Sequence, residues 1–313
     1  MTRLLTQPPP ARTAPGAALL SGLTVDVEDY FQVSGFEAAV PRDRWGAYPS
    51  RVERNTQRLL ALLEEAGVRG TFFVLGWTAE RYPALVRRIQ RAGHELACHS
   101  YAHRLVYSLT PEEFRRDTRR AVAAVEDASG QRVQGYRAPS FSITRKSLWA
   151  LDVLAEEGFR YDSSIYPILR DRYGIPGAPR HPFPVRVAAG TRGTATLLEV
   201  PPSTVRCLGV NLPVGGGGYL RLFPAPLFRR ALARLIEGER RPAVLYVHPW
   251  ELDPDQPRIP AGSRLSRFRH YVNLARTAPR LRALLARWPF APLCEVLDGL
   301  PPAPALPLDA LAR

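Results

Sequence analysis

Apolar positions along this chain switch between two periods. Leu23, Thr24, Val25 and Val27 form a β-rich run that predicts a strand over Leu23–Val27. Val52, Leu59, Leu60, Leu62 and Leu63 recur at helical spacing and predict a helix over Val52–Ala66, ended by Gly67. Thr71–Leu75 reads as a buried strand, Ala79–Ala92 as a helix closed by Gly93, and Glu95–Cys98 as a short strand. Thr110 is placed to cap a helix that opens at Pro111 and runs to about Ala128. Val133–Tyr136 predicts a strand, Thr144–Glu157 a helix capped by Gly158, and Phe159–Tyr161 the start of another strand. Strand and helix thus alternate at least four times, the rhythm of a parallel sheet or barrel wrapped by helices.

Residues 168–220 break that rhythm. They are rich in proline and glycine, with short β-like pieces at Thr196–Val200 and Val205–Leu208. The run Gly215–Gly218 lacks G-x-G-x-x-G spacing and predicts a surface loop bordering a substrate groove rather than a phosphate cradle. Phe223–Ile236 then reads as a helix, Ala243–Val247 as a strand ending at His248, and Tyr271–Leu285 as a helix. Residues 1–20 and the proline-rich 300–313 are expected to be flexible tails around one body over 21–290. No internal repeat is visible.

The 313 residues suffice for one large α/β domain or two small ones, and a 45% hydrophobic content supports a sizeable core. Net charge is +14, carried almost wholly by arginine; Lys146 is the one lysine. The arginines are spread along the chain, which argues against a nucleic-acid surface. Cys98, Cys207 and Cys294 form no C-x-x-C and no disulfide framework. No early apolar core follows the N-terminal arginines, and no apolar run reaches the ~18 residues of a membrane span. A cytoplasmic setting without a signal peptide is expected, with a membrane-peripheral placement left open. Oligomeric state is not legible.

The chemistry gathers at Asp26, Glu28 and Asp29. Strand alternation puts Asp26 and Glu28 on one face. Carboxylates this close repel unless a cation sits between them or one keeps its proton. His99 and His103, four residues apart, share one face of a helical turn, with about 5–6 Å between Cβ atoms, which suits two ligands of one metal. Two histidines and a carboxylate form a common catalytic zinc set that leaves a position for water. His94-Glu95 is not a zincin motif, since Cys98 stands where the second histidine would be. Taken singly, the acids read as a solvated strand end, Arg137 as a surface ion pair, Asp162 as a turn residue and His248 as a core histidine.

Their ordered conjunction resembles a family. Thr24-Val25-Asp26-Val27-Glu28-Asp29, His99-Ser100-x-x-His103, Arg137-Ala138-Pro139-Ser140, Tyr161-Asp162-Ser163-Ser164 and Leu245-Tyr246-Val247-His248 resemble, in order, the five motifs of the NodB-homology polysaccharide deacetylases, carbohydrate esterase family 4. Asp26–Phe31, Trp250–Pro254 and Phe268–Asn273 further resemble the subgroup of exosortase-linked exopolysaccharide loci, whose C-terminal DUF3473 extension would here be about 200–290.

The resemblance implies a distorted (β/α) barrel of the NodB-homology type, with a catalytic site at the strand ends. It implies metal-dependent N-deacetylation of N-acetylhexosamine units in a polysaccharide or lipid-linked glycan. The metal would be zinc, with cobalt or nickel alternatives. It implies Asp26 as general base, His248 as general acid, His99 and His103 as metal ligands, Arg137 as the base's partner and Asp162 as the brace of that arginine. The family's usual adjacent aspartates are absent. The third ligand is Glu28 by strand alternation, or Asp29 if the strand ends at Val27. Ser140 stands where an aromatic is usual, with its backbone N–H a candidate oxyanion donor. An amidohydrolase of non-sugar C–N bonds and an inactive polysaccharide-binding module are the other readings.

Overall fold

A computed structural model describes residues 19–170 and 173–312. The predicted tail 1–20 lies almost wholly outside the described residues. The strands are β1 (Ser21–Val27), β2 (Thr71–Val74), β3 (Glu95–Cys98), β4 (Gly135–Tyr136), β5 (Tyr161–Asp162), β6 (Phe183–Ala188), β7 (Thr194–Glu199), β8 (Thr204–Cys207), β9 (Val210–Pro213), β10 (Val244–Val247), β11 (Phe290–Ala291) and β12 (Leu306–Pro307). The main sheet runs β10-β1-β2-β3-β4-β5-β7-β6-β12. Neighbours from β10 to β7 are all parallel, β6 lies antiparallel to β7, and β11 extends the start of β1. No ladder joins β7 to β10. Connecting chain fills that seam: Ser203 donates to the Val244 carbonyl at 3.1 Å, and Gly217 donates to that of Tyr246 at 2.8 Å. The result is the expected distorted barrel.

The helices are α1 (Val52–Glu65), α2 (Gly76–Arg81), α3 (Pro83–Arg91), α4 (Pro111–Ser129), α5 (Trp149–Glu156), α6 (Gly218–Leu222), α7 (Ala225–Ala233), α8 (Arg264–Tyr271), α9 (Thr277–Leu285), α10 (Leu293–Asp298) and α11 (Asp309–Ala312). The predicted start of α4 holds, with a reciprocal capping box between Thr110 and Glu113. The single helix expected over Ala79–Ala92 is two. Pro83 lacks a backbone donor and pushes Tyr82 out of the helical region, to φ −129°, ψ 57°. A large apolar core fills the space between barrel and helices. Inside the barrel, α10 plugs the end opposite the site, packing Leu293 and Leu297 against Phe73, Tyr161 and Val244.

Two expectations fail in this region. The glycine run is not a surface loop: residues 215–217 are buried against β10. Gly216 has φ +116°, and a Cβ there would sit 2.1 Å from the Tyr246 carbonyl oxygen, so only glycine lets the chain approach so closely. The stretch after Gly299 is not loose either, because Leu306 and Pro307 pair with β6 and Leu311 is buried.

Candidate active site

The site stands at the C-terminal ends of the parallel strands, where barrels of this kind carry their chemistry. β1 is buried throughout and ends at Val27, after which Glu28 N–H turns back to the Asp26 carbonyl at 3.0 Å. Asp26 and Glu28 share one side: His248 Nε2 lies 3.1 Å from Glu28 Oε1 and 3.9 Å from Asp26 Oδ2. Asp29 points elsewhere. Its Oδ2 accepts from Ser50 Oγ at 2.7 Å, Arg51 N–H at 2.9 Å and Val52 N–H at 3.2 Å, so it anchors the start of α1. Of the two sequence candidates for the third ligand, only Glu28 joins the histidines.

His99 and His103 follow β3 with ring centroids 5.5 Å apart. They do not sit on a helical turn. Ser100 and His103 both adopt left-handed backbone, at φ 65° and 51°. Asp117 of α4 accepts from Tyr101 N–H at 2.8 Å, and Arg42 donates to the carbonyls of Ala102 and His103 at 2.6 and 3.0 Å. His99 Nδ1 faces the Arg137 carbonyl at 2.8 Å, which makes it the protonated nitrogen and leaves the Nε2 lone pair for the site.

Arg137 is fully buried. Its Nη1 donates to Asp26 Oδ1 and Thr24 Oγ1, each at 2.7 Å, and its guanidinium lies 4.2 Å from the Phe73 ring centre. The expected brace, Asp162, does not touch it. Ser163 accepts from the guanidinium instead, through its carbonyl at 3.2 Å and Oγ at 2.9 Å. Asp162 accepts from Ser164, whose Oγ in turn accepts from Ala138 N–H at 2.8 Å, so it steadies the loop rather than the arginine. Burial raises the Asp162 carboxyl to about 6 and raises that of its neighbour Glu199 as well.

Sequence reasoning missed Glu251. Its Oε1 lies 3.2 Å from His248 Nδ1 and 3.4 Å from Arg221 Nη2, fully buried. The available signal was an acid three residues after a histidine, on one face of a helical turn. Trp250 stacks between His248 and His270, at 5.0 and 4.2 Å.

Electrostatics follow from these contacts. Burial works to raise the Glu28 carboxyl, but His103, His248 and His99 outweigh it and hold it at about 2. Burial lowers His103 to about 4, keeping it neutral and free to coordinate. For His248, burial favours the neutral ring, yet Glu251 and Glu28 prevail and raise it to about 10. One donor atom each from Glu28, His99 and His103 lies within 4.8 Å of the others, and Glu28 Oε2 is buried without a hydrogen-bond donor. That orphaned oxygen beside two imidazoles fits a divalent cation. The cleft, about 190 Å³, is walled by Ser140, Phe141, Tyr173, Tyr246 and Trp250.

These features define a barrel with a carboxylate–histidine centre at its strand ends. The chain matches the polysaccharide deacetylase family over residues 45–161 and a domain of unknown function, DUF3473, over residues 163–298. The chain thus carries a polysaccharide deacetylase segment followed by a DUF3473 region. The site draws on both segments: His99, His103 and Arg137 fall in the first, His248 and Glu251 in the second. A peptidoglycan deacetylase-like protein of Gibberella zeae is 26% identical over 170 residues, covering 54% of this chain and 48% of the relative. The chain thus spans about half the length of that relative. Among solved structures, one from Mycobacterium smegmatis assigned to the polysaccharide deacetylases aligns at TM-score 0.64 and 22% identity, over 96% of this chain and 98% of the other. The PuuE allantoinase aligns at TM-score 0.59 and 16% identity, over 94% of each chain. Among the described residues, no helix is long and apolar enough to cross a membrane.

Proposed function

We propose that this chain hydrolyses N-acetyl groups from hexosamine units of a polysaccharide, with a divalent metal held by Glu28, His99 and His103. One arrangement carries the reading: an arginine-clamped carboxylate and a doubly held imidazole flank a Glu–His–His triangle in one buried cleft. Zinc, cobalt or nickel suits this donor set and, when bound, would polarise the amide carbonyl and acidify a water.

Asp26 acts as general base. Arg137, itself held by Thr24 Oγ1, fixes its position, and Oδ2, the oxygen not bonded to Arg137, takes the proton of the attacking water. The water oxygen bonds to the amide carbon. When the C–N bond then breaks, its electron pair goes to nitrogen, and His248 Nε2 donates the proton that lets the amine leave. Acetate and a free amine result. Glu251 positions His248 through Nδ1. The backbone N–H of Ser140, on the cleft wall, is a candidate donor to the developing oxyanion. The finer assignment, to modification of an exopolysaccharide, rests on the resemblance of the 250–254 and 268–273 segments to the exosortase-linked subgroup.

Acetate release from a panel of acetylated glycans, with and without chelator, tests the reading. Chelator-sensitive release supports it. Turnover of allantoin without acetate release from any glycan would replace it with the amidohydrolase reading, and a metal-loaded protein inert on both would leave a binding module.

A further inference from the structure

Eight large apolar side chains are exposed among the described residues, and seven of them lie within residues 163–298. Within the matched deacetylase segment, 45–161, there are none. Leu208 is 99% exposed at the turn between β8 and β9, with Val210 and Leu212 exposed behind it. Leu169 is 80% exposed on the loop that this hairpin grips, since Asn211 Nδ2 donates to the Pro167 carbonyl at 2.7 Å. Leu265 and Phe268 are exposed on α8 at i, i+3 spacing, hence on one face.

Contacts link these elements in series beside the cleft, whose rim includes Ser34 and Tyr173. Arg170 donates to Tyr219 of α6 at 3.2 Å, and Arg221 of α6 donates to the carbonyls of His270 and Val272 at 3.0 and 2.8 Å. α8 in turn backs the cleft wall, with His270 against Phe36 at 5.0 Å and Gly35 against Ser266.

On the β8–β9 hairpin and on α8 the charge has one sign: Arg206 on the first, Arg264, Arg267 and Arg269 on the second, and no carboxylate on either. The sequence holds no carboxylate between Glu199 and Glu237, where it has five arginines, and none between Asp255 and Glu295, where it has eight. Arg206, Arg264, Arg267 and Arg269 have no ion-pair partner among the described residues. Arg258, Arg264 and Arg267 line an open groove of about 600 Å³ beside Phe268 and Tyr271.

We propose that this surface docks the enzyme on an anionic lipid bilayer, with Leu208 and Phe268 entering the interface and the arginines meeting lipid phosphates. The shape of the patch selects this occupant. Its apolar groups stand on separate convex points, a hairpin tip and the outer face of a helix. A bilayer accepts such points anywhere, whereas a protein would need a matching pocket for each. A soluble polyanion would engage the arginines and gain nothing from Leu208 or Phe268. An apolar tip flanked by unpaired arginines is the composition of peripheral membrane anchors.

Co-sedimentation of the full chain with vesicles tests this, and it reads no turnover, so its outcome is independent of the deacetylase reading. The chain should pellet with phosphatidylcholine vesicles containing about 30% phosphatidylglycerol, less as salt rises, and stay in solution with pure phosphatidylcholine. Leu208→Ser and Phe268→Ser should each weaken binding about tenfold, and the pair Arg264→Ser, Arg267→Ser roughly thirtyfold. Activity on a soluble oligomer and the thermal midpoint should not change in any of them. A chain that stays in solution with anionic vesicles at low salt overturns the proposal. So does vesicle binding that all three variants retain, or a dimer that Leu208→Ser dissociates in the absence of vesicle binding.

Discussion

Glu251→Gln isolates what the buried glutamate does for His248. The substitution keeps shape and one hydrogen-bonding oxygen but removes the charge 3.2 Å from Nδ1. A charge-assisted hydrogen bond is worth about 1.5–3 kcal/mol, which at 1.36 kcal/mol per pH unit corresponds to roughly 1–2 units. The sign is fixed by the contact. The carboxylate favours the imidazolium and holds His248 up, toward about 10, so its loss lowers the imidazole. In the proposed mechanism His248 is protonated to release the amine, so the alkaline limb of kcat/KM should move toward acid by roughly 1–2 pH units, with the plateau on its acid side much less affected. Acetate release from a chitooligosaccharide over roughly pH 6 to 11 measures the limb directly. Glu251→Asp, which restores the charge, should recover part of the shift, a result that mere loss of packing would not give. Arg221 keeps the carbonyls of His270 and Val272, so the variant should fold. An alkaline limb that stays in place in folded Glu251→Gln protein refutes the assignment.

Three further outcomes are expected. Glu28→Ala should lower metal affinity steeply, whereas Asp29→Asn should keep the metal and cost about 1–3 kcal/mol of stability through the α1 anchor; metal titration and urea unfolding separate the two. Asp26→Asn should retain metal and lose most turnover, because an amide cannot take the proton; near wild-type acetate release would remove Asp26 from the base role. Asp162 and Glu199 both have raised carboxyls, so the folded state keeps protons that the unfolded chain gives up. The Asp162 contribution is fully present below about pH 4 and is lost as pH rises through about 6, and that of Glu199 is lost in the same direction, so Glu199→Gln should gain stability relative to wild type as pH rises, as read by thermal melts across pH.

The deacetylase half of the fold was legible because its elements are regular and bounded by strong signals. Glu95–Cys98 matches residue for residue, and Thr110-Pro111 marks the start of α4. Pro83 was equally visible and was passed over inside an apolar pattern that continues across it. In the C-terminal half the signals weaken. β6 alternates buried and open positions but contains Pro184, which demotes it as a strand by pattern alone; it runs antiparallel to β7. The tail docks through a two-residue pairing too short to carry any periodicity. At the site, residue types and order pointed to Asp26, His99, His103, Arg137 and His248. Side-chain direction was not legible. Alternation favoured Glu28, yet the strand ends before it, and what turns Asp29 away is the distant amides of Arg51 and Val52. The resemblance assigned Asp162 to the arginine, but the contact falls to the next residue, Ser163.

β1 lies between β2 on one side and β10 and β11 on the other. One edge of the strand bearing Asp26 is therefore completed by residues more than two hundred positions later in the chain. During synthesis, Asp26, Glu28, His99 and Arg137 leave the ribosome long before His248 and the strand that carries it. Until β10 arrives, β1 presents an unpaired apolar edge, open to pairing with another chain. The proposed base and acid, Asp26 and His248, come together only when the two ends of this barrel meet. Activity therefore appears late and all at once, and a nascent chain stopped before β10 is a candidate for aggregation rather than a slow enzyme.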